Sequence, residues 1–130
     1  MRVVGTTEDW DEALAQPRAL VFLWVDWSKQ ARFSELAFRH LFRSWHVETR
    51  GCTVAVYRID LSSQTGDVWN AVRHWLGAQG QPVDLLTFSG NGALLWVRRS
   101  SVVRAIPDVA GADRQDFWAT SRTLCDAGGM

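Results

Sequence analysis

Few residues in the chain could carry chemistry alone: two cysteines, three histidines and a single lysine, Lys29. Thiol chemistry needs a stabilised thiolate, which a helix N-terminus, a neighbouring cation or a close pair of cysteines supplies. Cys52 opens a predicted strand and Cys125 lies near the end of the last predicted helix, so neither has such a setting. Both read as free and inert; a Cys52–Cys125 bridge would require Cα atoms within about 7 Å, a distance that sequence alone does not give. His40 and His46 flank the end of one predicted helix and His74 lies on the next. Metal sites favour i, i+4 pairs or tight Cys/His clusters, so no metal or other cofactor is expected. His40, on an apolar stripe, reads as a hydrogen-bonded core residue. Ser28 stands at a predicted helix start, where a serine N-cap contributes about 1 kcal/mol. As a nucleophile it lacks a histidine placed to serve as its base.

Charge narrows the partners. Fourteen basic and fourteen acidic side chains cancel, which gives no electrostatic case for nucleic acid or an anionic membrane. The start of the chain lacks an apolar h-region, so a cytoplasmic location is expected. At 130 residues the chain suits one domain, 1–130, able to bury a core without staples. The eight tryptophans are expected mainly in that core.

The elements that must position these residues alternate in type. Thr6 or Thr7 caps a short acidic helix carrying Glu8, Asp9, Asp11 and Glu12, closed by Pro17. Ala19 to Val25 is an unbroken apolar run, as in a strand buried on both faces. From about Ser28 to Trp45 the pattern is helical. One apolar stripe holds Phe33, Leu36, Ala37, His40 and Leu41, a second holds Phe38, Phe42 and Trp45, and Lys29, Arg32, Arg39, Arg43 and Arg50 form a basic flank. Cys52 to Asp60 reads as a strand, and Val68, Ala71, Val72, Trp75 and Leu76 mark a helix that Gly77 can end. Leu85 to Phe88, the Ser89-Gly90-Asn91-Gly92 turn and Ala93 to Val97 read as a hairpin. Residues 98–111 read as irregular, and a last helix of about Asp113 to Cys125 turns Phe117, Ser121 and Leu124 inward. The order predicts an α/β domain with a central mixed sheet flanked by helices on both faces.

This ordered set resembles the thioredoxin family. Leu20 to Trp27 matches the strand that enters the family's W-C-G-P-C motif, Ile59-Asp60 matches the next strand end, and Gly77 to Pro82 matches its cis-proline segment. Leu85 to Phe88 with Asn91-Gly92 matches the family's final hairpin. The resemblance spans about residues 6 to 125. The departures fall on the chemistry: Trp27-Ser28-Lys29-Gln30-Ala31 stands where the family has W-C-G-P-C, Phe22 where it has a buried acid, and Val56 where it has a lysine. Without the thiolate and its resolving partner, disulfide exchange is not expected.

What the resemblance retains is a place to bind. In the family, the tryptophan before the first cysteine and the proline loop flank a groove for extended polypeptide. Transferred to this chain, the groove comprises Trp27, Ser28, Lys29, Gln30, Gln81 and Pro82, with Pro82 expected cis. The favoured expectation is a non-catalytic protein-binding module, an adaptor, assembly factor or chaperone-like domain, binding a protein or extended peptide; self-association is compatible with it. The alternative is an enzyme holding a small thiol such as glutathione at Ser28 and the Pro82 loop.

Overall fold

A computed structural model describes residues 2–25, 29–48, 52–61, 66–83 and 92–127. The elements are β1 (Arg2–Val4), α1 (Thr7–Ala15), β2 (Ala19–Trp24), α2 (Lys29–Glu48), β3 (Ala55–Asp60), α3 (Asp67–Ala78), β4 (Ala93–Arg98), β5 (Ser101–Ile106), a 3-10 turn (Val109–Gly111) and α4 (Arg114–Ala127). The strands form one mixed sheet in the order β1-β3-β2-β4-β5. β1, β3 and β2 run parallel, while β4 is antiparallel to both β2 and β5.

The central strand shows why an unbroken apolar run suits this sheet. Alternate residues of a strand point to opposite faces. Ala19, Val21 and Leu23 join a core with Trp10 and Ala13 of α1 and Trp69, Val72 and Leu76 of α3. Leu20 and Phe22 join a second core with Phe38 and Leu41 of α2 and Phe117 and Leu124 of α4. Phe22 stacks on Phe38 with ring centroids 5.7 Å apart. Burying a side chain of this size contributes about 2 kcal/mol, so a phenylalanine where the family keeps an acid turns that place from proton handling to packing. The expected cap of α1 is present, with the Thr6 hydroxyl accepting from the Asp9 N–H at 3.1 Å.

The structure corrects the expectation for residues 98–111. Residues 101–106 form β5, and the turn into it is made by Arg99 (φ 48°) and Ser100 (φ 68°). Two left-handed residues make the turn that best suits a two-residue hairpin, usually built with Asn or Gly. Here tertiary contacts replace that preference: Ser100 Oγ donates to the Leu14 carbonyl at 2.9 Å, and Trp75 Nε1 donates to the Ser100 carbonyl at 3.0 Å. The hairpin of the fold is therefore β4–β5, with β4 as its first strand. Of the stretch expected to supply an earlier strand and turn, 85–92, residues 85–91 lie outside the described residues.

A second correction concerns the cysteines. Cys52, just before β3, and Cys125, in the last turn of α4, are joined in a disulfide with Cα atoms 5.9 Å apart. No helix among the described residues is long and apolar enough to cross a membrane.

Candidate functional site

The N-terminal half of α2 begins beyond the C-terminal end of β2, where the family places its motif. Ala31, at the place of the second family cysteine, is fully buried in the core. One turn of α2 brings Gln30 and Ser34 to the same side, and both bind Asp108: Gln30 Nε2 donates to Asp108 Oδ1 at 3.3 Å and Ser34 Oγ donates to it at 3.2 Å. The next residue, Val109, donates its N–H to the Gly92 carbonyl at 3.1 Å. Gly92 enters β4 at φ 83°, and a Cβ there would stand 2.5 Å from Ser34 Cβ and 3.2 Å from Phe22 Cζ. Side-chain hydrogen bonds and close backbone packing thus tie α2 to the start of β4 and to the segment after β5.

The described members of the expected groove do not come together. Trp27 and Ser28 lie outside the described residues. Lys29 is exposed at the first turn of α2, and Gln30 is half-buried against Asp108. Gln81 and Pro82 sit at the other end of the sheet. The Gln81 N–H donates to the Leu76 carbonyl at 3.0 Å, and Gln79 Oε1 accepts from the Val102 N–H at 3.1 Å. Val102 pairs with Val97, which pairs with Ala19 at the start of β2. The length of β2, about 17–20 Å for six residues, therefore separates this loop from the start of α2. No cis peptide occurs among the described residues, the Gln81–Pro82 bond included. The place before the hairpin strand, which the resemblance gives to the proline, belongs to Gly92. Separation of Pro82 from α2 also removes the second half of the small-thiol alternative.

The outward face of α2 differs equally from the expectation. Phe33 and Leu36 are 61% and 66% exposed, and His40 is exposed rather than in the core. They share one stripe with Lys29, Arg32 and Arg43, all exposed. Glu35 lies at the inner edge of α2, bound by Arg39 Nη2 at 2.9 Å and by Arg58 Nη1 at 3.1 Å. Arg58 also lies over the Trp24 ring at 4.8 Å from its centroid. That arrangement turns the acid of this helix segment inward and leaves the stripe cationic and apolar. Periodicity favoured an inward Phe33 because any two apolar residues at helical spacing read as core; only the lysine and arginines sharing their stripe marked it as outward.

Sequence reasoning also missed Asp108 and Gly92. An aspartate directly after Pro107 reads as ordinary loop chemistry, and Gly92 read as part of a turn. Elsewhere, Arg104 donates to Asp116 Oδ1 at 2.6 Å and to Thr120 Oγ1 at 2.8 Å. The hydrogen bond to Arg104 holds the Asp116 carboxyl below its ordinary value, and the same bond raises Arg104. This pair lies between β5 and α4, away from the start of α2. Among the described residues no cluster of three or more His, Cys, Asp or Glu could hold a metal ion.

No family model and no curated relative matches the chain. Solved structures do. Thioredoxin O2 from Arabidopsis thaliana in the oxidised state aligns over 95% of this chain and 93% of its own, with 16% identity and a TM-score of 0.58. A mutant thioredoxin from Halobacterium salinarum aligns over 95% and 89%, with 14% identity and a TM-score of 0.58. Fasciola hepatica thioredoxin aligns over 98% and 99%, with 12% identity and a TM-score of 0.54. At such identities the likeness establishes the fold alone: a thioredoxin-like α/β domain, with a five-stranded mixed sheet and four α-helices in the elements given above for the described residues.

Proposed function

We propose that this chain is a non-catalytic thioredoxin-fold module that binds another protein and has no disulfide oxidoreductase activity. The carrying observation is the Cys52–Cys125 bond, which takes up the only two cysteines of the chain, while buried Ala31 stands where a resolving thiol would be needed. Disulfide exchange requires an accessible thiolate beside its resolving partner, and the α2 N-terminus supplies neither from residues 29 to 34. The binding surface is the outward stripe of α2, beginning at Lys29, in place of a groove spanning Lys29 and Pro82. Large apolar side chains exposed side by side on a helix commonly mark an interaction site. A disulfide persists in oxidising compartments, so the bridge favours such a setting over the cytoplasmic one expected from the sequence.

Affinity capture with the immobilised chain tests this reading. A protein retained by the parent and by Gln81→Arg, but lost with Phe33→Ser plus Leu36→Ser, supports it. Loss with Gln81→Arg and retention by the α2 pair would return the site to the proline loop and overturn the assignment.

A further inference from the structure

Resting on that reading, we infer that the α2 stripe docks an acidic amphipathic helix of a partner protein. The stripe runs along Lys29, Phe33, Leu36, His40 and Arg43. Its centre is apolar and its two ends are cationic; none of the five residues is acidic. Glu35, the acid nearest to it in sequence, is bound by Arg39 and Arg58 at the inner edge of the helix. A helix laid into such a face would seat apolar side chains at i, i+3 or i+4 spacing over Phe33 and Leu36. Acidic residues on its borders would meet Lys29 and Arg43, gaining association rate and register from complementary charge.

The chain itself carries a cluster of the matching charge in α1, yet α1 does not fit the role. Its exposed positions Glu8, Asp11, Glu12 and Ala15 present no large apolar side chain, and Arg2 already engages Glu12. α1 also packs in the core on the opposite side of the sheet from α2. A contact between α1 of one copy and α2 of the next would be head-to-tail, building rings or filaments. A separate acidic partner satisfies both the apolar centre and the charged ends.

The test uses two fluorescein-labelled amphipathic peptides of about 14 residues, a length at which an isolated helix is marginal and so can be stabilised by docking. Both carry leucine on one stripe; one has glutamate on the borders, the other lysine. Anisotropy titrations of the intact protein should show the glutamate peptide binding at least about tenfold more tightly, with the advantage shrinking as salt screens the charges. Phe33→Ser with Leu36→Ser should abolish that binding, and Lys29→Glu with Arg43→Glu should move preference to the lysine peptide. Circular dichroism of both double variants controls for folding. Equal affinity for the two peptides, or glutamate-peptide binding untouched by either double variant, overturns the inference. Sedimentation with phosphatidylserine vesicles without peptide discrimination, or a self-association that Phe33→Ser with Leu36→Ser dissolves, also overturns it. If neither peptide binds while affinity capture still depends on Phe33 and Leu36, the acidic partner is excluded and the protein-binding reading stands.

Discussion

Gly92 and Ser34 meet so closely that a methyl group on the glycine would stand 2.5 Å from the serine Cβ. The backbone of Gly92 is also left-handed, at φ 83°, a conformation that costs a non-glycine residue about 1–2 kcal/mol. Gly92→Ala should therefore destabilise the domain by about 2–4 kcal/mol once overpacking is added. Urea denaturation measures this. A Gly92→Ala, Ser34→Gly double variant should lose less than the sum of the single changes, because the steric component is shared and the backbone component is not.

The Cys52–Cys125 bond spans a sequence separation of 73 residues. Closing a loop of that size removes unfolded-state entropy equivalent to roughly 4 kcal/mol in the chain-entropy account. Reduction, or replacement of both cysteines by serine, should lower the unfolding free energy by about 2–4 kcal/mol and leave the sheet intact. Thiol titration of the unreduced, denatured chain should find none; two titratable thiols would contradict the bridge.

Trp96 and Ser121 form the buried polar contact of the second core, with Trp96 Nε1 donating to Ser121 Oγ at 3.0 Å. Ser121→Ala would leave the indole N–H without this acceptor in a dry site, at a cost of about 1–3 kcal/mol. Ser121→Thr keeps an acceptor, so it should be less destabilising in the same urea titration if its methyl group fits. An alanine variant as stable as the parent would remove the hydrogen bond from the account of the core.

Asp116 links pH to stability through Arg104. The hydrogen bond from Arg104 depresses the Asp116 carboxyl, and its charge adds to that, while desolvation opposes both. The unfolded chain then binds more protons than the folded one across the intervening range. The contribution is present above the ordinary carboxylate range and disappears as pH falls through the folded value. Asp116→Asn should lower the thermal midpoint at about pH 7, and the difference should shrink as pH falls below the ordinary carboxylate range. Because both side chains of the pair are exposed to solvent, the shift should be small and should shrink in salt.

Much of the architecture was legible because its signals were local. The unbroken apolar run of β2 needs two covered faces, and α4 turns Phe117, Ser121 and Leu124 inward at helical spacing. Two things were not legible. The β4–β5 turn is made by Arg99 and Ser100, residues without a preference for its left-handed backbone, held by Leu14 and Trp75 from distant elements. Choosing the Gly/Asn-rich stretch before β4 as the hairpin turn then moved the proline segment upstream and placed Pro82 beside α2, a strand length from its actual position. The orientation of Phe33 and Leu36 was obscured for a different reason. Apolar periodicity reports which residues share a stripe, whereas which stripe faces the sheet depends on the β-strands it must cover.

The most direct measurement of the central claim is dithiothreitol-driven reduction of insulin, followed by the onset of turbidity. A thioredoxin fold without thiol chemistry should leave the onset time equal to that with dithiothreitol alone, at any concentration of this protein. Acceleration that disappears in a Cys52→Ser, Cys125→Ser variant would show that these cysteines exchange with substrate, and it would contradict the account.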